Sequence, residues 1–110
     1  MTRDAGLEEL IDGELEGVRG LSNKAMFGGW AWLLNGNLLF GARDAGLLVR
    51  LGKDRDDWAL RVPGIERAIM RGRAMQGWVR VSPETCGDDA LRGRLVRAAL
   101  DFVGSLPPKR

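Results

Sequence analysis

The sequence predicts an α+β domain in which one antiparallel sheet carries packed helices. Three observations lead there: apolar residues at helical spacing near both ends of the chain, an Asn-Gly pair set between two bulky apolar runs, and strict alternation over Met75–Val81. A chain of 110 residues suits a single domain spanning 1–110, large enough to bury a core without a disulfide or metal staple.

Taken in order, Leu7, Leu10, Ile11, Leu15 and Val18 share one face of a first helix that begins near Asp4 and is closed by Gly20. Gly13 and Gly17 each cost that helix up to about 1 kcal/mol relative to alanine, so its packing on the sheet must hold it. The chain then passes through Ser22-Asn23 into a three-strand meander. Its first turn is Asn35-Gly36, because both central positions of a type I′ hairpin need positive φ. Its second is Arg43-Asp44-Ala45-Gly46, leading into Leu47–Leu51. Asp54 is placed to cap a short helix through Asp57, Trp58 and Leu60, which Pro63-Gly64 stops. A two-strand hairpin follows, Ile65–Met70 and Met75–Val81, turning at Gly72-Arg73. The last helix starts near the N-cap Asp88, buries Leu91, Leu95, Ala98, Ala99, Phe102 and Leu106, and ends at Gly104 and Pro107-Pro108. Arg92, Arg94 and Arg97 fall off that stripe and read as a solvated face.

The first hairpin organises the rest. Counting outward from a two-residue turn sets Leu33 opposite Leu38, Trp32 opposite Leu39, Ala31 opposite Phe40 and Trp30 opposite Gly41. Trp30, Trp32 and Leu39 then share one sheet face, and Ala31, Leu33, Leu38 and Phe40 the other. Both faces are apolar. Helices shield one of them, and the other calls for further chain, a second subunit or a partner. Parity alone leaves open which face is core.

Composition narrows the chemistry. The 45% hydrophobic and 29% charged fractions are those of an ordinary globular protein, while 16 glycines signal many tight turns. The net charge of +2 is too small to imply a nucleic-acid partner. Residues 56–110, however, hold ten basic and seven acidic side chains, and five arginines (Arg61, Arg67, Arg71, Arg73, Arg80) stand against Glu66 alone between Arg61 and Arg80. The single cysteine, Cys86, excludes an internal disulfide and suits a reducing compartment; its place ahead of a helix suggests a mildly acidified thiol. With no histidine and no tyrosine, the usual general base, the His-based triads and the common zinc sets are missing. Ser22, Ser82 and Ser105 lie in no nucleophile motif, and Gly72 and Gly77 have phosphate-loop spacing without its Lys-Ser/Thr. The expectation is a non-catalytic, cytoplasmic protein with no cofactor, no metal and no membrane segment.

Met26-Phe27-Gly28-Gly29, an aromatic strand, Asn35-Gly36-Asn37, the segment Gly72-Arg73-Ala74-Met75-Gln76-Gly77-Trp78-Val79 and the ending Ser105-Leu106-Pro107-Pro108-Lys109 together resemble the N-terminal domain of the TfoX/Sxy competence-regulator family. The resemblance covers nearly the whole chain and implies the same helix-strand arrangement. Full regulators of that family carry a second, C-terminal domain. It also implies a regulatory, protein-binding role, with a DNA-bound transcriptional activator as partner. Trp30, Trp32, Leu39, Arg50, Trp78 and Arg80 form the candidate interaction surface, provided Trp78 shares a sheet face with the other two tryptophans. Such a surface suits self-association or a protein partner. It also admits nucleic-acid stacking, and small-molecule sensing between sheet and helices is a third reading.

Overall fold

The computed structural model describes residues 3–26 and 28–109. They fold into helix α1 (Ala5–Glu14), strands β1 (Leu21–Met26), β2 (Gly29–Leu34), β3 (Asn37–Arg43) and β4 (Gly46–Arg50), helix α2 (Asp57–Leu60), strands β5 (Ile65–Met70) and β6 (Arg73–Val81), and helices α3 (Pro83–Cys86) and α4 (Asp89–Gly104). The strands form one antiparallel sheet in the order β1-β2-β3-β4-β6-β5. The α+β class is the one expected, and the order of elements is too, with one strand and the short helix α3 added. β1 runs the full length of β2, from Leu21 opposite Leu34 to Met26 opposite Gly29, and makes the meander four-stranded. Ser22 to Ala25 are all exposed, so this edge strand carries no apolar alternation.

The two long helices lie on one face. In α1, Asp4 Oδ1 accepts from the Leu7 backbone N–H at 3.0 Å, and Leu7, Ile11 and Leu15 are buried, whereas Leu10 is 39% exposed. The helix stops at Glu14, well before Gly20, and Gly17 takes a left-handed φ of 85° in the turn that follows. In α4, Asp88 Oδ1 accepts from the Leu91 N–H at 3.0 Å, and Leu95, Val96, Ala99 and Val103 are buried against β2, β3 and β4. Arg92 is not on a solvated face. It is 8% exposed and donates to Glu14 Oε2 at 3.0 Å, to the Cys86 carbonyl at 2.9 Å and to Asp89 Oδ1 at 2.9 Å. One guanidinium thereby ties α1, α3 and α4 together, which a planar five-donor fork does better than any other side chain.

The first hairpin turns where expected, with Asn35 at φ 52° and Gly36 at φ 83°, and Leu33 pairs with Leu38. Beyond that pair the register slips by one. Trp32 stands opposite Phe40, Ala31 opposite Gly41 and Trp30 opposite Ala42, with Leu39 as the extra residue of a β-bulge. Leu39 and Phe40 are both fully buried in the helix-side core, which strict alternation forbids and a bulge permits. Trp30, Trp32 and Leu34 face the helices, while Ala31, Leu33, Leu38 and Gly41 face away. The bulge thus moves the bulkiest side chain of β3 out of the second face and leaves glycine there. The second hairpin turns at Arg71-Gly72, φ 53° and 75°, one residue earlier than counted.

Asp54 does not cap the short helix. It adopts φ 67°, and Asp56 occupies the N-cap position of α2 without a capping bond. Asp56 is 2% exposed, and its Oδ2 accepts from the Gly77 N–H at 3.2 Å and lies 3.5 Å from Arg67 Nη2. No helix among the described residues is long and apolar enough to cross a membrane.

Candidate functional site

The sheet face turned away from the helices is only partly covered. Cross-strand neighbours define it: Gly41 beside Leu48, Leu48 beside Arg80, and Arg50 beside Trp78. Between the β1–β2 end and the β5–β6 turn this face sinks into a cavity of about 360 Å³. Gly41 and Leu48 form its floor, Met26, Gly29 and Trp30 line one side, and Ile69 and Met70 the other. Ala42, Arg43, Arg71 and Arg80 complete the lining. Ile69, at 64% exposure, is the most exposed large apolar residue among those described. Met26 also borders a second hollow of about 420 Å³ on the same face, with Lys24, Leu33, Leu38 and Lys109 around it.

The electrostatics of the first cavity are one-sided. Among the described residues no carboxylate lies within ion-pair distance of Arg43, Arg71 or Arg80. Glu66, the cross-strand neighbour of Arg80 on β5, makes no ion pair with it. Burial, and then the positive charge of Arg43, lower the Arg80 pKa from its ordinary value. Two like charges thus converge on an apolar floor.

The residues expected to make one interaction surface are divided between the two faces. Trp32 and Leu39 are dry in the core; Trp32 Nε1 donates to Asp12 Oδ1 at 2.8 Å. Trp30 is half-buried on the helix side, with the Arg3 guanidinium 4.3 Å from its ring centre. Trp78 does not share their face. It stacks under Arg50 at 5.0 Å on the opposite side, and Arg50, the last residue of β4, also comes within 5.7 Å of the ring of Phe102 on α4. Arg50, Trp78 and Arg80 are therefore brought together, and of the six Trp30 and Arg80 line the cavity. Gly41, Arg43, Leu48, Ile69, Met70 and Arg71 were missed. An interior-strand glycine and, for Arg71, the arginine cluster between Arg61 and Arg80 were the available signals.

The sequence profile of the TfoX N-terminal domain matches residues 14–103, most of the chain. The chain belongs to the TfoX N-terminal domain family. No curated protein and no solved structure matches it.

Several TfoX motif positions hold the backbone of this domain in place. Gly77 sits at φ 85°, and a Cβ there would lie 2.5 Å from both Gly52 C and Lys53 N. Its carbonyl accepts from the Leu51 and Gly52 N–H groups at 2.7 and 3.0 Å, and its N–H is the one bound by buried Asp56. Gly77 is thus the knot that joins β6 to the β4–α2 connection. Gly29 meets the Ala42 carbonyl so closely that a Cβ would overlap it. Gly28 and Gly72 take the positive φ of their turns, 73° and 75°. Arg73 is exposed and Met75 half-buried, Met26 lines the cavity, and Phe27 lies outside the described residues.

Cys86 is not an acidified thiol. It is 1% exposed, and burial pushes its pKa from 9.0 up to about 11 against the smaller opposing effect of Arg92. The folded state keeps this proton between pH 9 and about 11, where the unfolded thiol gives it up. Stability from this group is therefore complete below pH 9 and lost as pH rises through about 11. Urea melts across that range should show the decline, and Cys86→Ala should flatten it. Iodoacetamide at pH 8 should label the native protein far more slowly than the urea-unfolded chain.

Proposed function

We propose that this TfoX domain is a non-catalytic regulatory module that binds a partner protein through the open face of its sheet. The observation that carries the reading is Ile69, 64% exposed at the tip of the β5–β6 hairpin beside Met70 and the cavity, with Arg71 next to it. A large exposed aliphatic set on a hairpin beside arginines is the kind of feature that anchors protein interfaces. Kinship with competence regulators supports a transcriptional setting, in which a DNA-bound activator is the natural partner class. Direct stacking of nucleic-acid bases has less behind it, since Trp32 has no exposed ring and Arg50 covers Trp78.

Photo-crosslinking in the host cell tests the reading. A crosslinking amino acid at position 69 should give a discrete protein adduct, and the same group at exposed Asp101 on α4 should not. Equal adducts from both positions, or none from position 69, would remove the open face as the docking surface.

A further inference from the structure

The cavity in the open face has the properties of a ligand site in its own right, independent of whether a partner protein docks over it. We propose that it binds a small amphipathic organic anion, the anionic head against Arg80 and Arg43 and an apolar body over Gly41 and Leu48.

Gly41 is the first argument. Glycine in the middle of a strand weakens it, and it survives there where something must come close to the backbone. No backbone fills that role here. A Cβ on Gly41 would meet only Leu48 side-chain atoms, at 3.7 and 3.8 Å, which is ordinary contact. Its φ is not in the left-handed region either, so neither turn geometry nor crowding calls for glycine. What its missing side chain does supply is the depth of the cavity floor.

Charge is the second argument. Half-buried Arg80 and Arg43 line the same cavity, near enough for the charge of Arg43 to act on Arg80, without a carboxylate in ion-pair range among the described residues. Their mutual repulsion and partial desolvation are offset if an anion sits between them, and guanidinium forks suit carboxylate, sulfate or phosphate oxygens. The third argument is the lining. Met26, Leu48, Ile69 and Met70 give an apolar lining that a simple inorganic anion does not need, and the two flexible thioethers adapt to a ligand's outline. A volume of about 360 Å³ is at the small end of the range for small-molecule sites, roughly 300–1,000 Å³.

Isothermal titration of the intact protein with octanoate, 3-phenylpropionate and octyl phosphate tests this, with 1-octanol, octyltrimethylammonium and inorganic phosphate as counterparts. At least one amphipathic anion should bind with one-to-one stoichiometry, about ten-fold or more tighter than any counterpart. Gly41→Val should keep or raise the thermal midpoint while abolishing that binding, because a branched side chain favours the strand and fills the floor. Arg80→Gln should weaken the anion about ten-fold and leave 1-octanol unchanged. The proposal is overturned if none of the three anions binds, if octanol binds as well as octanoate, if inorganic phosphate alone matches them, or if Gly41→Val binds like wild type. These results do not depend on the adduct at position 69, so ligand site and docking surface stand or fall separately.

Discussion

Trp32→Ala should lose about 3–5 kcal/mol of unfolding free energy in urea, the cost of emptying a large fully buried aromatic site. For a domain whose total is typically about 5–15 kcal/mol, that removes much of the folded population's margin. The side chain has no exposed surface, it pairs with Phe40 across the bulge, and its indole N–H reaches Asp12 on α1 at 2.8 Å. Trp32→Phe separates the two contributions. It keeps most of the packing and gives up the hydrogen bond, for about 1 kcal/mol beyond the lost ring volume, since Asp12 is exposed and can turn to water. If the alanine variant melts within about 1 kcal/mol of wild type, roughly the size of an ordinary surface change, the helices do not cover the face on which Trp32 lies.

Gly77→Ala should be comparably damaging, at about 3 kcal/mol or more, although it adds only a methyl group. A left-handed backbone accounts for roughly 1–2 kcal/mol of this. The remainder comes from displacing Gly52 and Lys53, whose backbone atoms stand 2.5 Å from the new carbon, and with them the bond from Gly77 to buried Asp56. Gly72→Ala is the control. Gly72 has a similar φ, 75°, but no atom within 4 Å of the methyl that alanine would add, so only the backbone cost of about 1–2 kcal/mol applies. Urea midpoints for the two variants should differ clearly, and equal losses would mean that the Gly77 contact is not what the motif glycine serves.

Much of the fold was legible because its signals are local. Asn35-Gly36 demands positive φ at two successive positions, and Asp4 and Asp88 stand one residue before their helices with apolar residues at the right spacing behind them. What escaped depends on tertiary context. The bulge at Leu39 arises because two neighbouring large apolar side chains both gain by entering the core, and periodicity counts only alternation. β1 shows no apolar alternation because Ser22 to Ala25, exposed on an edge strand, have no side to hide. Arg92 looks like any surface arginine until Glu14, 78 positions away in the chain, is placed beside it. The Trp-Arg surface dissolved for the same reason as the register: one residue of slip decides which side of the sheet a tryptophan takes. The cavity was hidden more deeply, since Met26, Gly41, Leu48, Ile69 and Arg80 come from five strands and no spacing links them.

The amide resonances of ¹⁵N-labelled protein titrated with octanoate test most directly whether the partly covered sheet face is the one the molecule uses. Shifts centred on Gly41, Leu48, Met70 and Arg80, with Leu95, Ala99 and Val103 of α4 unmoved, are the expected result. Shifts gathered on the helix side, or spread evenly over the molecule, would contradict it.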